Sequence, residues 1–308
     1  MTNTERTREA LLGSVKDTAA DAPLARQVER DHGLRAALEG AHYPAPSRTR
    51  VMTVSNQKGG VGKTTTTVNV AAALASNGLK VLVIDADPQG NASTALSIDH
   101  PQGTPSIYEV LVNDVPLADV IQPCTDIPGL SVVPATIDLS GAEIELVMRE
   151  DRADRLATAL SRHLVDEYWD YVLIDCPPSL GLLTLNAFVA ASEVLIPIQT
   201  EYYALEGLSQ LLSTIERVQQ ALNPKLRVST IVLTMNDRRT NLARDVADEV
   251  RRYFPNETLR TVVPRSVRVS EAPSHGQTVI TYDPHSTGSL AYRAIAKEIA
   301  DRGMEMPS

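Results

Sequence analysis

Eight residues near position 60 combine the groups that a phosphate-binding loop requires. They run Lys58-Gly-Gly-Val-Gly-Lys-Thr-Thr65, between a short apolar run and a helix-forming stretch. Glycines allow a tight backbone curl whose N–H groups point inward at phosphate oxygens, and the following helix adds its positive N-terminal dipole. In such a loop Lys63 reaches the β- and γ-phosphates, Thr64 binds Mg²⁺ and Thr65 holds the α-phosphate. The predicted ATP-binding residues of the loop are Lys58, Gly59, Gly60, Val61, Gly62, Lys63, Thr64 and Thr65.

Carboxylates follow two other apolar runs. Asp85 and Asp87 end the run that begins at Lys80, and Asp175 ends the run that begins at Tyr171. Ligands of open parallel sheets bind at the carboxyl ends of the strands, so we expect all three acids beside the phosphate loop. Turn formation is the alternative role for an Asp-Pro pair. Lysines, Mg²⁺ and carboxylates together suit phosphoryl transfer, and water is the favoured acceptor because no acceptor pocket is recognisable.

Apolar runs and helical stretches alternate from residue 51 onward, and these elements must position the loop and the acids. Strands are predicted at 51–55, 80–85, 130–134, 171–175, 194–198, 227–235 and 259–263. Helices are predicted at 64–76, 151–168, 204–222, 241–253 and 288–301. The strands are continuously apolar, which is typical of a sheet covered on both faces. The pattern therefore predicts an α/β fold with a mostly parallel twisted sheet between two helical layers (α/β/α).

The first 50 residues differ from the remainder of the chain. They carry a net charge of +1, whereas the whole chain carries −9, and they end in the linker-like stretch YPAPSRTR. Helices are predicted near 4–16 and 23–39. We expect a variable extension at 1–50, mobile or partly helical, followed by the nucleotide-binding domain at 51–308. A mobile tail and an arm that contacts a partner or DNA both remain open.

Positive charge is concentrated in the C-terminal third of this acidic chain. Residues 225–268 carry ten basic and five acidic side chains. A local patch of this kind binds a DNA backbone whatever the net charge, and no groove-reading motif is present, so binding is predicted to be independent of sequence. A solvated helix face with ion pairs is an equal alternative for Arg244, Arg251 and Arg252.

The phosphate loop departs from the standard pattern at Gln57, where that pattern has glycine, and carries a second lysine at Lys58. With this deviant Walker A motif, residues 50–301 resemble the ParA/MinD family of P-loop ATPases, in particular its ParA (Soj) partition branch. The resemblance implies partition of a chromosome or plasmid with ATP and Mg²⁺ as cofactors. An ATP-bound homodimer would bind nonspecific double-stranded DNA, and a ParB-type partner would stimulate hydrolysis and release the DNA.

The resemblance also implies roles for single residues. Lys58 would reach across the dimer interface to the ATP of the other subunit. Asp87 would position the attacking water, and Asp175 would hold Mg²⁺ through a water. Asp85 would support the loop, or the groups that directly coordinate the metal, without binding the metal itself. Two further stretches, 235–242 and 264–274, match the family pattern. They imply adenine contacts by Asn236 and Pro264 and DNA contacts by Arg239 and Arg268, with a wider basic set of Arg238, Arg265, Arg244, Arg251 and Arg252.

Composition excludes several other classes of protein. The two cysteines, Cys124 and Cys176, exclude a disulfide scaffold, and the six histidines lack metal-ligand spacing. No signal-peptide core or membrane-spanning run is visible, so the expected location is the cytoplasm, on the nucleoid. A MinD-like membrane-cycling ATPase is disfavoured because the C-terminal stretch has a modest apolar face. A relative that positions a protein assembly and an iron–sulfur enzyme with this fold remain alternatives.

Overall fold

The computed structural model describes residues 23–201, 204–237 and 240–304 of the chain. Contacts divide the chain into two units, residues 1–41 and 42–308. In the first unit the described residues form helix α1 (Pro23–Leu38), where the sequence predicts a helix. The other helix predicted for the extension, at 4–16, lies outside the described residues.

The second unit is built on one sheet of seven strands. The strands are β1 (Arg50–Val54), β2 (Val81–Asp85), β3 (Gln122–Pro123), β4 (Leu130–Val133), β5 (Tyr171–Asp175), β6 (Glu193–Gln199) and β7 (Arg227–Thr234). Their order across the sheet is β3-β4-β2-β5-β1-β6-β7. Every pair is parallel except β3 with β4, so the predicted mostly parallel sheet is confirmed.

Helices connect the strands and cover the sheet. In the second unit they are α2 (Lys63–Ala75), α3 (Asn91–Ala95), α4 (Ile107–Asn113), α5 (Leu139–Val147), α6 (Arg155–Asp166), α7 (Leu182–Ala190), α8 (Ala204–Ala221), α9 (Asn241–Tyr253), α10 (Val267–Glu271), α11 (Val279–Tyr282) and α12 (Thr287–Met304). Two short 3₁₀ turns lie at Leu117–Asp119 and Ala272–His275.

The central strands are buried on both faces. Every residue of β1, β2 and β5 is buried. Successive side chains of a strand point to opposite faces. Leu82 and Ile84 therefore join a core that includes Leu183 of α7 and Leu208 of α8. Helix α2 also packs against β2 and β5, and α12 packs against α2. Burial on both faces explains why the strand sequences are continuously apolar.

The last helix contributes its apolar side to the core. Leu290, Ile295 and Ile299 of α12 are buried. The Tyr43 hydroxyl also donates to the carbonyl of Arg293 at 2.9 Å. This agrees with the expectation that the C-terminal stretch packs on the domain. Across the described residues, no helix combines the length and apolar character needed to cross a bilayer.

The strand predicted at 259–263 is wrong. This segment runs beside β7 but forms no strand, and isolated bridges join Ile231 to Thr258 and Asn236 to Pro264. The reason is a competing acceptor. The backbone N–H groups of 260 and 261 both donate to the Glu298 carboxylate at 2.9 Å, so they are not available to a strand ladder.

Candidate functional site at the carboxyl edge of the sheet

The loop between β1 and α2 has the curled backbone that its glycines predict. Gly60 and Gly62 adopt φ angles of 74° and 88°, in the left-handed region that favours glycine. Gly62 directly precedes the first residue of α2. The loop is tied to the end of β7 because the Thr234 hydroxyl donates to the carbonyl of Val61 at 2.8 Å. The helix N-terminus and the curled loop therefore face the same edge of the sheet.

Lys63 begins α2 and its side chain is buried, with 7% exposed. Burial lowers the pKa of its ammonium group, against the opposing influence of the carboxylates of Asp175 and Asp87. Among the described residues nothing forms a hydrogen bond or an ion pair with this ammonium. The two carboxylates act on this buried cation without a direct ion pair to compensate its desolvation, which is costly. The site therefore fits an anionic ligand that supplies the missing charge.

Asp175 lies at the end of β5 and is fully buried. Its two carboxylate oxygens accept hydrogen bonds from two threonine hydroxyls of α2, from Thr64 at 2.7 Å and from Thr67 at 3.0 Å. Burial raises the pKa of Asp175, the neighbouring Asp85 raises it further, and the two hydroxyl donors oppose this effect. An oxygen-rich group of one carboxylate and two hydroxyls suits Mg²⁺, which prefers oxygen ligands.

The structure gives Asp85 and Asp87 different surroundings. Asp85 is fully buried opposite Asp175 in the sheet register, and burial raises its pKa to about 6. It accepts from the Ser93 amide at 2.9 Å, the Ser93 hydroxyl at 2.7 Å and the Asp87 amide at 3.2 Å. One Asp87 oxygen accepts a hydrogen bond from the backbone N–H of Gln89 at 3.0 Å, and its other oxygen accepts none from the described residues. Asp85 therefore holds the loop and α3 in place, whereas Asp87 keeps a free acceptor.

Lys58 lies on the more exposed side of the loop. Its backbone N–H donates to the Asn56 side chain at 3.0 Å, and the Asn56 amide donates to the carbonyl of Pro197 at 2.8 Å. The Lys58 ammonium pairs with Glu201 at 2.9 Å, and both side chains are partly exposed. Within one chain, the lysine expected to act across a dimer interface therefore contacts a carboxylate of its own subunit.

A cavity of about 290 Å³ adjoins the loop. Its lining residues come from the loop, the end of β7, the 263–270 segment and α12: Gly62, Thr65, Thr234, Met235, Val263, Pro264, Arg265, Ser266, Val269, Ser270 and Tyr292. Pro264 thus lies in the cavity wall. Asn236 lies beside it through their backbone bridge, while its side-chain amide donates to the Thr200 hydroxyl at 3.5 Å.

The predicted DNA-contacting arginines are placed in two groups where the structure describes them. Arg265 and Arg268 are exposed on the segment that also lines the cavity, and Arg268 pairs with Glu271 at 3.2 Å and Asp283 at 3.5 Å. The other group is on α9. Arg238 and Arg239 lie outside the described residues.

Helix α9 supports both alternatives that its sequence left open. Its buried side is apolar, and Arg244 and Arg252 are exposed on the other side. Arg251 pairs with Asp248 at 3.8 Å, and Arg244 donates to Asn241. Asp248 therefore pairs with Arg251, three residues further along the helix, whereas the sequence spacing had suggested Arg252, four residues further along.

Three residues of the site were not predicted. Thr67 donates to Asp175 from one helical turn beyond Thr64, so the run of four threonines at 64–67 was the available signal. Ser93 holds Asp85, and the polar start of α3 gave a weaker hint. Glu201 contacts Lys58 from 143 residues away along the chain, and no local pattern points to it.

Comparison with known proteins shows what the chain is similar to. A family model described as an AAA domain matches residues 49–228. The sporulation initiation inhibitor protein Soj of Bacillus subtilis is 52% identical over 254 residues, which cover 82% of this chain and 99% of Soj. The chromosome partitioning protein ParA of Myxococcus xanthus is 54% identical over 253 residues, which cover 82% of this chain and 88% of that protein.

A solved structure shows the same likeness in three dimensions. A crystal structure described as cobyrinic acid a,c-diamide synthase from Mycobacterium smegmatis, with bound ADP and magnesium, has a TM-score of 0.71 and 39% identity. The match covers 84% of this chain and 98% of that one. The resemblance that the motifs indicate is confirmed by these matches.

Proposed function

This chain belongs to the Soj/ParA family of chromosome-partitioning ATPases, and we propose that it hydrolyses ATP with Mg²⁺ at the carboxyl edge of its sheet. As an ATP-bound homodimer it binds double-stranded DNA without sequence preference, on the nucleoid in the cytoplasm. A ParB-type partner stimulates hydrolysis and releases the DNA. The cargo is a chromosome or a plasmid.

The nucleotide part of the proposal is supported by the group of buried Lys63, Thr67 and Asp175 with partly buried Thr64. Lys63 is desolvated and forms no direct ion pair with the described residues, so in this proposal it binds the β- and γ-phosphates. Mg²⁺, when bound, supplies positive charge to the phosphate oxygens. Thr64 and Asp175 are already in contact, and we assign both to holding the metal, with Asp175 acting through a water. Thr67 keeps the carboxylate in position.

The carboxylate that positions the attacking water is Asp87 in this proposal. Its second oxygen accepts no hydrogen bond from the described residues, whereas Asp85 is engaged by Ser93 and by the Asp87 backbone. A carboxylate with a free acceptor can take a hydrogen bond from water and orient it. Lys58 reaches the ATP of the other subunit once the dimer forms, which requires it to leave Glu201.

Nucleotide-dependent DNA binding is supported by the segment from 264 to 271, which both lines the cavity and presents arginines to solvent. Pro264, Ser266 and Val269 line the cavity proposed for the adenine, while Arg265 and Arg268 of the same segment are exposed. A base that fills the cavity must contact this short segment. The exposed arginines can therefore respond to the nucleotide, and they supply the charge that binds a phosphate backbone.

The experiment that tests the proposal uses Asp87→Ala, which should bind nucleotide and fail to hydrolyse it. We expect this variant to bind random-sequence duplex DNA with ATP–Mg²⁺ and not with ADP–Mg²⁺, and to lose affinity steeply as salt increases. Fluorescence anisotropy of labelled DNA measures binding, and phosphate release measures hydrolysis. ATP-dependent dimers that bind no DNA in either state would refute DNA as the ligand.

Two arginine variants in the Asp87→Ala background test whether DNA binding depends on the 264–271 segment or only on the net charge of the protein. Arg268→Glu should weaken DNA binding at least about tenfold, because it removes one phosphate contact and adds a repulsive charge. Arg162→Glu makes the same change at an exposed position on α6 and should leave binding within about twofold. Equal losses in both variants would show that net charge, and not this segment, controls the affinity.

A further inference from the structure

One side of α5 presents apolar side chains to solvent. The exposed set, which we call the α5 stripe, has fractional exposures of 55%, 78%, 55% and 88% for Ile137, Ile144, Val147 and Met148. Ile144 and Val147 are three residues apart on one side of α5, Met148 caps the C-terminal end of the helix, and Ile137 lies in the turn that precedes it. The opposite side packs into the core through Leu139, Ala142 and Leu146. Helix α5 is thus apolar on both sides. Packing in the core explains the buried side, but it does not explain why the α5 stripe is apolar.

The α5 stripe is bordered by carboxylates on both edges. At 100° per residue, Glu145 lies along one edge of α5 and Glu143 along the other, and Glu150 follows the C-terminal end of the helix. Glu145 and Glu150 are exposed. Arg149 is the basic residue of the span 137–150, and it is paired with Asp114 at 3.2 Å and with Asp151 at 3.3 Å. The surface around the stripe is therefore acidic.

The apolar surface continues toward the segment that follows Asp175. The Leu183 backbone N–H donates to Glu143 at 3.4 Å, and a Cβ at Gly181 would collide with the same carboxylate. Leu180, at 41% exposed, precedes this contact. A molecule bound on the α5 stripe would thus lie next to the connection between β5 and α7.

Charge decides which molecule fits this surface. Clustered exposed apolar side chains with a polar rim mark interaction sites. Two copies of this chain meeting stripe to stripe would bring carboxylates against carboxylates along both edges, which is unfavourable. A helix with an apolar stripe flanked by lysine and arginine complements both features. We propose that the α5 stripe is the docking site for a basic amphipathic helix of a partner protein.

Two synthetic 18-residue peptides test the proposal on the full-length chain. Both carry the same leucine stripe; one has lysine and arginine on its flanks and the other has glutamate. The first should bind saturably in fluorescence anisotropy, and hydrogen exchange should show slowed amides in α5. The second should bind at least about tenfold more weakly.

Variants locate the site and supply a matched control. Ile144→Lys should weaken the basic peptide at least about tenfold, whereas Val165→Lys, at a position that is 84% exposed on α6, should change its affinity less than about twofold. The double variant Glu145→Lys/Glu150→Lys should lose the basic peptide and gain the acidic one. Both wild-type positions 144 and 165 are exposed, so neither lysine substitution should alter the melting temperature appreciably.

Three results would overturn the proposal. The first is that neither peptide binds. The second is that Ile144→Lys and Val165→Lys weaken the basic peptide equally, or that the slowed amides lie outside α5. The third is that Ile144→Lys abolishes nucleotide-dependent dimers in light scattering without affecting the peptide, which would make the stripe a contact between copies of this chain.

Discussion

Replacing Thr67 with valine tests whether the hydroxyl pair on α2 controls Asp175. Valine keeps the shape of threonine and removes the hydroxyl that lies 3.0 Å from Asp175. A hydrogen bond to a charged group contributes about 1.5–3 kcal/mol. The Thr67 hydroxyl also lies 3.0 Å from the carbonyl of Lys63, and its single proton is shared, so the low end of that range applies. About 1.4 kcal/mol corresponds to one pKa unit.

The sign of the effect follows from which form of Asp175 the hydroxyl stabilises. The hydroxyl donates to the ionised carboxylate, so its loss favours the protonated form and raises the pKa of Asp175 further. In the proposed function the ionised form is the one that holds Mg²⁺. The acid limb of the pH profile of ATP hydrolysis should therefore move up by about one pH unit in Thr67→Val, with about a tenfold lower kcat/KM on that limb. The difference should shrink at high pH.

The assay measures kcat/KM by phosphate release from pH 5 to pH 9, and it includes two control variants. Thr67→Ser keeps the hydroxyl and should retain the original profile. Thr66→Val makes the same substitution one residue earlier, where the buried hydroxyl lies 3.4 Å from the Tyr292 hydroxyl and does not contact Asp175. If Thr67→Val kept the parent profile, or if Thr66→Val shifted it equally, the reasoning would be refuted.

Three other predictions follow from buried or engaged charges. Burial raises the pKa of Asp175 from its ordinary value of 3.8 to about 8, so between these two pH values the native state binds more protons than the unfolded state. The free energy of unfolding therefore falls as the pH rises from 3.8 to about 8. Asp175→Asn should reduce that fall, measured as the change in Tm between pH 5 and pH 8; an unreduced change would contradict it. Arg50→Ala should cost about 3–5 kcal/mol in urea unfolding because fully buried Glu193 loses both hydrogen bonds from Arg50 and keeps a longer contact with Arg227 at 4.0 Å, and Arg50→Met with Glu193→Leu should recover most of this loss. Glu201→Gln should release Lys58 and lower the ATP concentration for half-maximal dimer formation by up to about fivefold in light scattering, whereas an unchanged midpoint would show that the pair does not restrain the lysine.

Local sequence signals were sufficient for the long helices and the central strands of the domain, whereas the helices Ile107–Asn113, Leu139–Val147 and Leu182–Ala190 were not predicted. The helix over 241–253 and the strand over 171–175 have the predicted bounds, because their apolar periodicity is strong and their ends are well marked. The segment at 259–263 was predicted incorrectly for the opposite reason. Its composition suits a strand, and the carboxylate that takes two of its N–H groups comes from Glu298, which no local pattern could bring to it.

The sequence by itself determined the chemistry of this protein: a glycine-rich loop with two lysines, a threonine run behind it, and acids at strand ends that must share one edge of a parallel sheet. Residue types and short spacings carry that information because the backbone of a loop or a helix turn is set by its own sequence. Tertiary structure alone decided how the acids divide their roles. Asp85 accepts hydrogen bonds from Ser93, one Asp87 oxygen accepts none from the described part of the chain, and Lys58 pairs with Glu201. These differences depend on burial and on partners from distant parts of the chain, which packing brings together and sequence spacing does not show.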